Sequence, residues 1–159
     1  MIKIRRATKK DLPDIIELSM DLLPYHVQFS RYYIPIKDKA KWKKISTKYF
    51  RKLMKSRNAR LWVAEDEGKI IGYGIGQIKK PPPVLKLKYY GQVEEVYIAK
   101  KYRRKGIASK FIKEILDWFK KRKIKRVLVN FDTHNETAKR AYKKAGFKPF
   151  QENYELWLK

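Results

Sequence analysis

The stretch Gln92-Val-Glu-Glu-Val-Tyr-Ile-Ala-Lys-Lys-Tyr-Arg-Arg-Lys-Gly-Ile-Ala-Ser-Lys110 changes character twice. Val93, Val96, Tyr97 and Ile98 predict a short strand, the Lys/Arg cluster a tight turn, and Ile107 the start of an amphipathic helix. The first four N–H groups of a helix have no internal partner, and the macrodipole places roughly half a positive charge there. Arg103, Arg104 and Lys105 add full charges at that point, and Gly106 lets a ligand come close to the backbone of Ile107, Ala108 and Ser109. A strand, a basic turn and a helix start make an anion cradle. Phosphate is the guest it suits.

A second block lies downstream. Asn135, Ala138, Tyr142, Gly146 and Phe147 follow the pattern N-x-x-A…Y-x-x-x-G-F, and Arg103, Gly106 and Ala108 fit Q/R-x-x-G-x-G/A. In this order the two blocks resemble the acetyl-CoA pyrophosphate loop and the following helix and strand of the GNAT family of N-acetyltransferases. The opening Arg5-Arg-Ala-Thr, then Asp11-Leu-Pro and a helix, is similar to the N-terminus of many members. The resemblance covers nearly the whole chain. It implies an α/β fold of mixed α+β type, with a central mixed sheet of about six or seven strands flanked by about four helices, in a single N-acetyltransferase domain over residues 1–159.

Composition agrees with one domain. The 159 residues are enough to bury roughly two thirds of the surface of the unfolded chain. The absence of cysteine excludes disulfides, thiolate metal sites and a cysteine nucleophile, and two histidines far apart in sequence make no metal cluster. The start Met1-Ile-Lys-Ile-Arg-Arg has no apolar signal region and no run approaches the roughly 18 apolar residues of a membrane span, so a cytoplasmic protein is expected. Net charge is the outlier, at +25 where a magnitude of about 2 to 8 is usual. A CoA pocket uses only a few cations. The excess points either to a polyanionic partner, such as nucleic acid, an acidic protein or the ribosome surface, or to a lysine-rich proteome. Oligomeric state is left open, a homodimer included.

Taken in order, residues 2–6 alternate as a strand, and Thr8 with Asp11 resembles a capping box opening a helix over 10–23, which Pro24 closes. Residues 25–36, with Tyr25, His26, Phe29, Tyr32 and Tyr33, show no clear period and read as a loop; the family places acceptor-site groups here, and an aromatic packing cluster is the plainer reading. Trp42, Ile45, Tyr49 and Leu53 recur at helical spacing over 39–56. The rest of that helix is intensely basic, and between Lys37 and Arg60 the sole acid is Asp38. Such a face either binds a polyanion or is merely solvated. Two strands follow, 61–65 and 69–78, joined at Asp66-Glu-Gly, and Gly72, Gly74 and Gly76 leave one face of the second strand bare for a bulky neighbour or a ligand. After a proline-rich loop and the central stretch come a helix from Ile107, a strand over 127–131, a short helix over 136–145 capped by Asn135 and ended by Gly146, and a last alternating strand over 154–158.

The resemblance implies direct acetyl transfer in a ternary complex: a primary amine attacks the thioester of acetyl-CoA, a thiolate leaves, and no metal is called for. The amine must lose a proton, the oxyanion needs donors, and the sulfur needs a proton. Adjacent strand residues face opposite ways, so Glu94 and Glu95 are expected on different faces, with Glu94 the first candidate base by family position, Glu95 the second, and His26 or a water as alternatives. Val96, Tyr97 and Ile98 offer backbone groups to pantetheine as an added strand would. Tyr142 is the implied proton donor, since a phenol near 10 is not far above a thiol near 8.5, and Asn135 and Tyr142 join residues 103–109 in the cofactor set. The plainer alternative is that the carboxylates pair with the abundant Lys/Arg and Tyr142 only packs. A different class is a catalytically silent domain of the same fold that binds nucleic acid or another polyanion. The acceptor stays open among a protein N-terminus, a lysine side chain, a polyamine and a small amine antibiotic.

Overall fold

The bare glycine face finds its partner in aromatic rings. A Cβ on Gly74 would lie 2.9 Å from the Phe111 ring, one on Gly76 3.0 Å from Ile115, and one on Gly91 2.9 Å from three atoms of the Phe119 ring. The computed structural model, which describes residues 1–29 and 37–158, thus lays a helix close against the sheet along these glycines. That helix is α3 (Ile107–Lys121), and the glycines lie in β3 (Lys69–Lys79) and β4 (Tyr90–Ile98). We expect Gly91→Val to force the Phe119 ring aside at a cost of about 3 kcal/mol, lowering the melting temperature by roughly 6–12 °C in a thermal melt.

The other elements are β1 (Lys3–Arg6), α1 (Leu12–Val27), α2 (Lys39–Lys55), β2 (Ala59–Asp66), β5 (Val127–Val129) and α4 (Glu136–Lys144). The strands form one sheet in the order β1-β2-β3-β4-β5. All neighbours are antiparallel except β4 and β5, which run parallel with α3 as the crossover. Glu67 and Gly68, both with positive φ, make the tight β2–β3 turn. Helices cover both faces. Ile15 and Ile16 of α1 and Phe50 and Leu53 of α2 pack on Val63, Tyr73 and Ile75; Phe111, Ile112, Ile115 and Phe119 of α3 pack with Trp62 and Val93 on the opposite side. Arg5 ties the first strand to the first helix, its guanidinium gripping Asp11 through two bonds of 2.7 and 2.8 Å and Glu65 through a third of 2.7 Å. Asp11 also accepts the Thr8 N–H at 2.6 Å, and the Arg5 partnership holds its carboxyl down at about 2. The link therefore persists at any ordinary pH.

The mixed α/β class and four helices are as expected, but among the described residues the sheet has five strands rather than six or seven. The missing strand is 154–158, where Tyr154, Leu156 and Leu158 stand exposed without regular structure. Alternation makes a strand only where a neighbour accepts its ladder, and β5, the outermost strand, stops at Val129 instead of Phe131. α1 also outruns its predicted end, passing through Pro24 to Val27, because one backbone bond lost in a last turn does not stop a helix already packed along its length. Tyr25 and His26 are thereby helical, while Tyr32, Tyr33 and Pro35 lie outside the described residues. Among the described residues no helix is long and apolar enough to cross a membrane.

Candidate active site

Register fixes the chemistry of β4. Ile75 pairs with Glu95 and the next residue, Gly76, with Val93, so Glu94 is an extra residue in a β-bulge. A bulge breaks strict alternation. Glu95 accepts a hydrogen bond from the Tyr73 hydroxyl, and Glu94 forms an ion pair with Lys79. Tyr73 and Lys79 are an even number of residues apart on β3 and share its α2 side, where the Tyr73 ring meets Phe50 at 5.6 Å. Both carboxylates therefore lie on the same side of the sheet, which corrects the expectation of opposite faces. Burial pushes the Glu95 carboxyl up to about 7, against the lowering effect of the Tyr73 hydrogen bond and with Glu94 adding to the rise. Tyr49 of α2 feels the same pair: burial first, then Glu95 and Glu94, raise its phenol.

Immediately beyond this bulge the sheet opens. β4 is paired to β5 only over Gly91–Val127, Gln92–Leu128 and Val93–Val129, and among the described residues no strand continues along the β5 side of residues 94–98. The chain then passes through a 3-10 turn, Lys100–Tyr102, into α3. Arg104 and Gly106 take left-handed φ values of 64° and 75°, which fold the loop back over the helix start. The first helical carbonyl bond is Lys110 N–H to Gly106 at 3.2 Å, and no side chain caps the helix. The amides of Ile107, Ala108 and Ser109 therefore point outward, with Arg104 and Lys105 exposed beside them.

Arg103 behaves differently from its neighbours. Its Nε donates to the Ile98 carbonyl at 2.9 Å, and its guanidinium lies over the Tyr25 ring at 4.6 Å and the Tyr97 ring at 5.6 Å. It braces the end of β4 against α1. Tyr25 reaches on to the Asn135 side-chain oxygen at 3.4 Å, and that oxygen caps α4 by accepting the Ala138 N–H at 3.0 Å. His26 stands beside Tyr25, its imidazole lowered by burial against the opposing pull of Asp132. Tyr142, on α4, is buried between Phe131 at 5.5 Å and Phe147 at 5.4 Å. It shares a hydrophobic cluster with Val96, Ile98, Ile107 and Val129, on the α3 side of the sheet. Burial raises its phenol, so the hydroxyl keeps its proton at all physiological pH values.

Val96, Ile98, Ile107 and Tyr142 thus share one cluster on the α3 side of β4, Asn135 is linked to Arg103 through Tyr25, and Glu94 and Glu95 lie on the α2 side of the same strand. His26 feels the charge of Asp132. Tyr73, Tyr49 and Lys79 surround the two carboxylates, which the sequence did not lead us to expect. Tyr73 had a signal, because glycines at 72, 74 and 76 assign 73 to the opposite face, but nothing local showed that a bulge would turn the carboxylates toward it. Among the described residues no group of histidine and carboxylate side chains is placed to hold a metal.

Comparison with known proteins identifies the fold and the family. The signature of the Acetyltransferase (GNAT) family matches residues 15–147. An uncharacterized N-acetyltransferase of Methanocaldococcus jannaschii is 28% identical over 162 residues, covering 98% of this chain and 64% of that protein, so the chain spans less than two thirds of its relative. Two solved structures share the fold. A predicted acetyltransferase of Clostridium acetobutylicum with acetyl-CoA superposes with a TM-score of 0.79 at 23% identity, covering 98% of this chain and 96% of that one. An aminoglycoside N-acetyltransferase in complex with CoA gives 0.75 at 15% identity, covering 100% and 95%. On the family signature, which runs from within α1 through α4 and takes in every strand from β2 to β5, the chain belongs to the GNAT acetyltransferase family.

Proposed function

We propose that the protein transfers an acetyl group from acetyl-CoA to a primary amine, with Glu95 as the base. The observation that carries this is the bulge, which puts a half-buried carboxylate where β4 parts from β5 and where the strand edge runs on into an uncapped, basic helix start. The residues present fit acetyl-CoA: the outward amides of Ile107, Ala108 and Ser109 with Arg104 and Lys105 suit a pyrophosphate, and the β4 edge from Val96 through Tyr97 to Ile98, whose carbonyl Arg103 also holds, suits the amides of a pantetheine arm. When bound, acetyl-CoA supplies a thioester open to attack. Glu95 takes the proton from the incoming ammonium, and its elevated pKa of about 7 makes it a far better acceptor than an ordinary carboxylate. Glu94, first by family position, is engaged by Lys79 and acts on Glu95 through its charge. Tyr142 stays protonated at Oη and offers a hydrogen bond to the departing sulfur, although burial makes it a weaker acid than the ordinary phenol first expected, while Arg103 and Asn135 hold the walls in place.

Tyr142→Phe keeps the stack on Phe131 and the edge contact with Phe147, so acetyl-CoA affinity and melting temperature should stay at wild-type values. Turnover should fall roughly 10²-fold, the low end for general acid catalysis because water partly substitutes. Steady-state kinetics with a competent acceptor beside a calorimetric titration separate the two effects; an unchanged kcat would make Tyr142 a packing residue.

A further inference from the structure

We infer that the acceptor is the free α-amine of an acidic polypeptide, seated on the flank of α2 where Ile45 and Tyr49 lie among Lys41, Lys48 and Lys52. This rests on the transferase reading and names the substrate of that same site.

Lys41, Ile45, Lys48 and Lys52 are spaced four, three and four residues apart, so they form one stripe along the helix, with Tyr49 beside both Ile45 and Lys52. Ile45 and Tyr49 are 51% and 38% exposed, while the next turn-mates Ser46, Phe50 and Leu53 are buried against the sheet. A half-exposed isoleucine and the partly exposed ring of Tyr49 thus lie between lysines. The stripe adjoins the carboxylates, because the phenol of Tyr49 interacts with both Glu95 and Glu94. An acceptor reaching Glu95 along this flank meets apolar surface first and cations around it.

The charges there lack counterparts. Elsewhere Lys43 meets Glu17, Lys113 meets Asp117 and Lys139 meets Glu136. Lys41, Lys48 and Lys52 form no ion pair among the described residues, and α2 contains no acid at all. A polycationic acceptor would be repelled along the whole approach, whereas an anionic body is drawn in with its single ammonium directed to Glu94 and Glu95. Proton chemistry narrows the amine. An α-ammonium near 8 lies about one unit above Glu95, while a lysine ammonium near 10.4 lies more than three units above it. Nucleic acid offers the negative charge but its exocyclic base amines carry no ammonium proton for a carboxylate to remove. A peptide N-terminus with an apolar first residue and acids after it satisfies the apolar patch, the lysines and the base together.

The test measures CoA release by the full chain with decapeptides: one with a free N-terminus followed by glutamates and aspartates, one with lysines in their place, one neutral, and an acidic one with a blocked N-terminus and an internal lysine. The acidic free peptide should give a kcat/KM about tenfold or more above the neutral one, with an advantage that shrinks as salt is raised, and the blocked peptide should give almost none. The exposed charge reversal Lys41→Glu, Lys48→Glu, Lys52→Glu should lower the acidic-to-neutral ratio of kcat/KM about tenfold. A preference for the basic or the blocked peptide, an unchanged ratio in the variant, or displacement by single-stranded RNA without peptide turnover would overturn the inference. If a small amine on a parallel panel is acetylated while no peptide is, the inference falls and the transferase reading stands; if acetyl-CoA binds and no amine of any kind reacts, both fall.

Discussion

Glu95→Gln is expected to lower kcat/KM by about 10²–10³ at pH 8, because the carboxamide fills the same space beneath Tyr73 but accepts no proton. The pH profile should identify the cause. Wild-type activity should rise as pH passes about 7, where Glu95 ionises in the field of Glu94, Lys79, Tyr73 and Tyr49, and this limb should vanish in the variant. Stability should move the other way. The unfolded carboxyl releases its proton near 4.3 and the folded one near 7, so between these values the folded state holds the extra proton and stability falls as pH rises. Glutamine escapes that loss. The melting temperature of the variant relative to wild type should therefore climb from pH 5 to pH 8, by the equivalent of roughly 1–3 kcal/mol. A raised melting temperature with unaltered turnover would make Glu95 a buried structural acid and return Glu94 to consideration.

Gly106→Asp should abolish measurable acetyl-CoA binding, weakening it at least about 100-fold in a calorimetric titration. A Cβ here meets nothing within 4 Å, so the change does not crowd the free protein; the φ of +75° costs only about 1–2 kcal/mol in a non-glycine residue. The effect comes from the carboxylate. At the N-cap it accepts from the amides of the first turn and puts negative charge where a pyrophosphate must sit. Gly106→Ala is the control: it carries the strain without the charge and should lose far less affinity. Equal losses in both variants would show that loop shape alone, not anion recognition, is what Gly106 supplies.

Much of this was legible in the chain because it is local. The helix start after Gly106, the Asn135 cap and the basic face of α2 follow from short-range spacing, and all are where spacing puts them. The bulge was not legible. Glu94 and Glu95 look like ordinary neighbours in a strand, and only the β3 register, set by contacts far along the chain, makes one of them an insertion. The same holds for Arg103, which reads as one cation among several yet differs from Arg104 by having an acceptor at Ile98 and two rings within reach. Residues 154–158 show the opposite failure, a correct local period with no neighbouring strand to receive it.

The early parting of β4 from β5 has a consequence for the life of the protein in a cell. On the proposed reading the β4 edge beyond Val93 gains its neighbour from a bound metabolite, and the sheet is then held together partly by mass action. At a free ligand level 100 times Kd the folded state gains about 2.7 kcal/mol, and it gives that back as the ligand is consumed. On the proposed reading, starvation for acetyl units would do more than idle the enzyme. It would bare a strand edge and hasten turnover, so abundance would follow the supply of the thioester with no separate regulator.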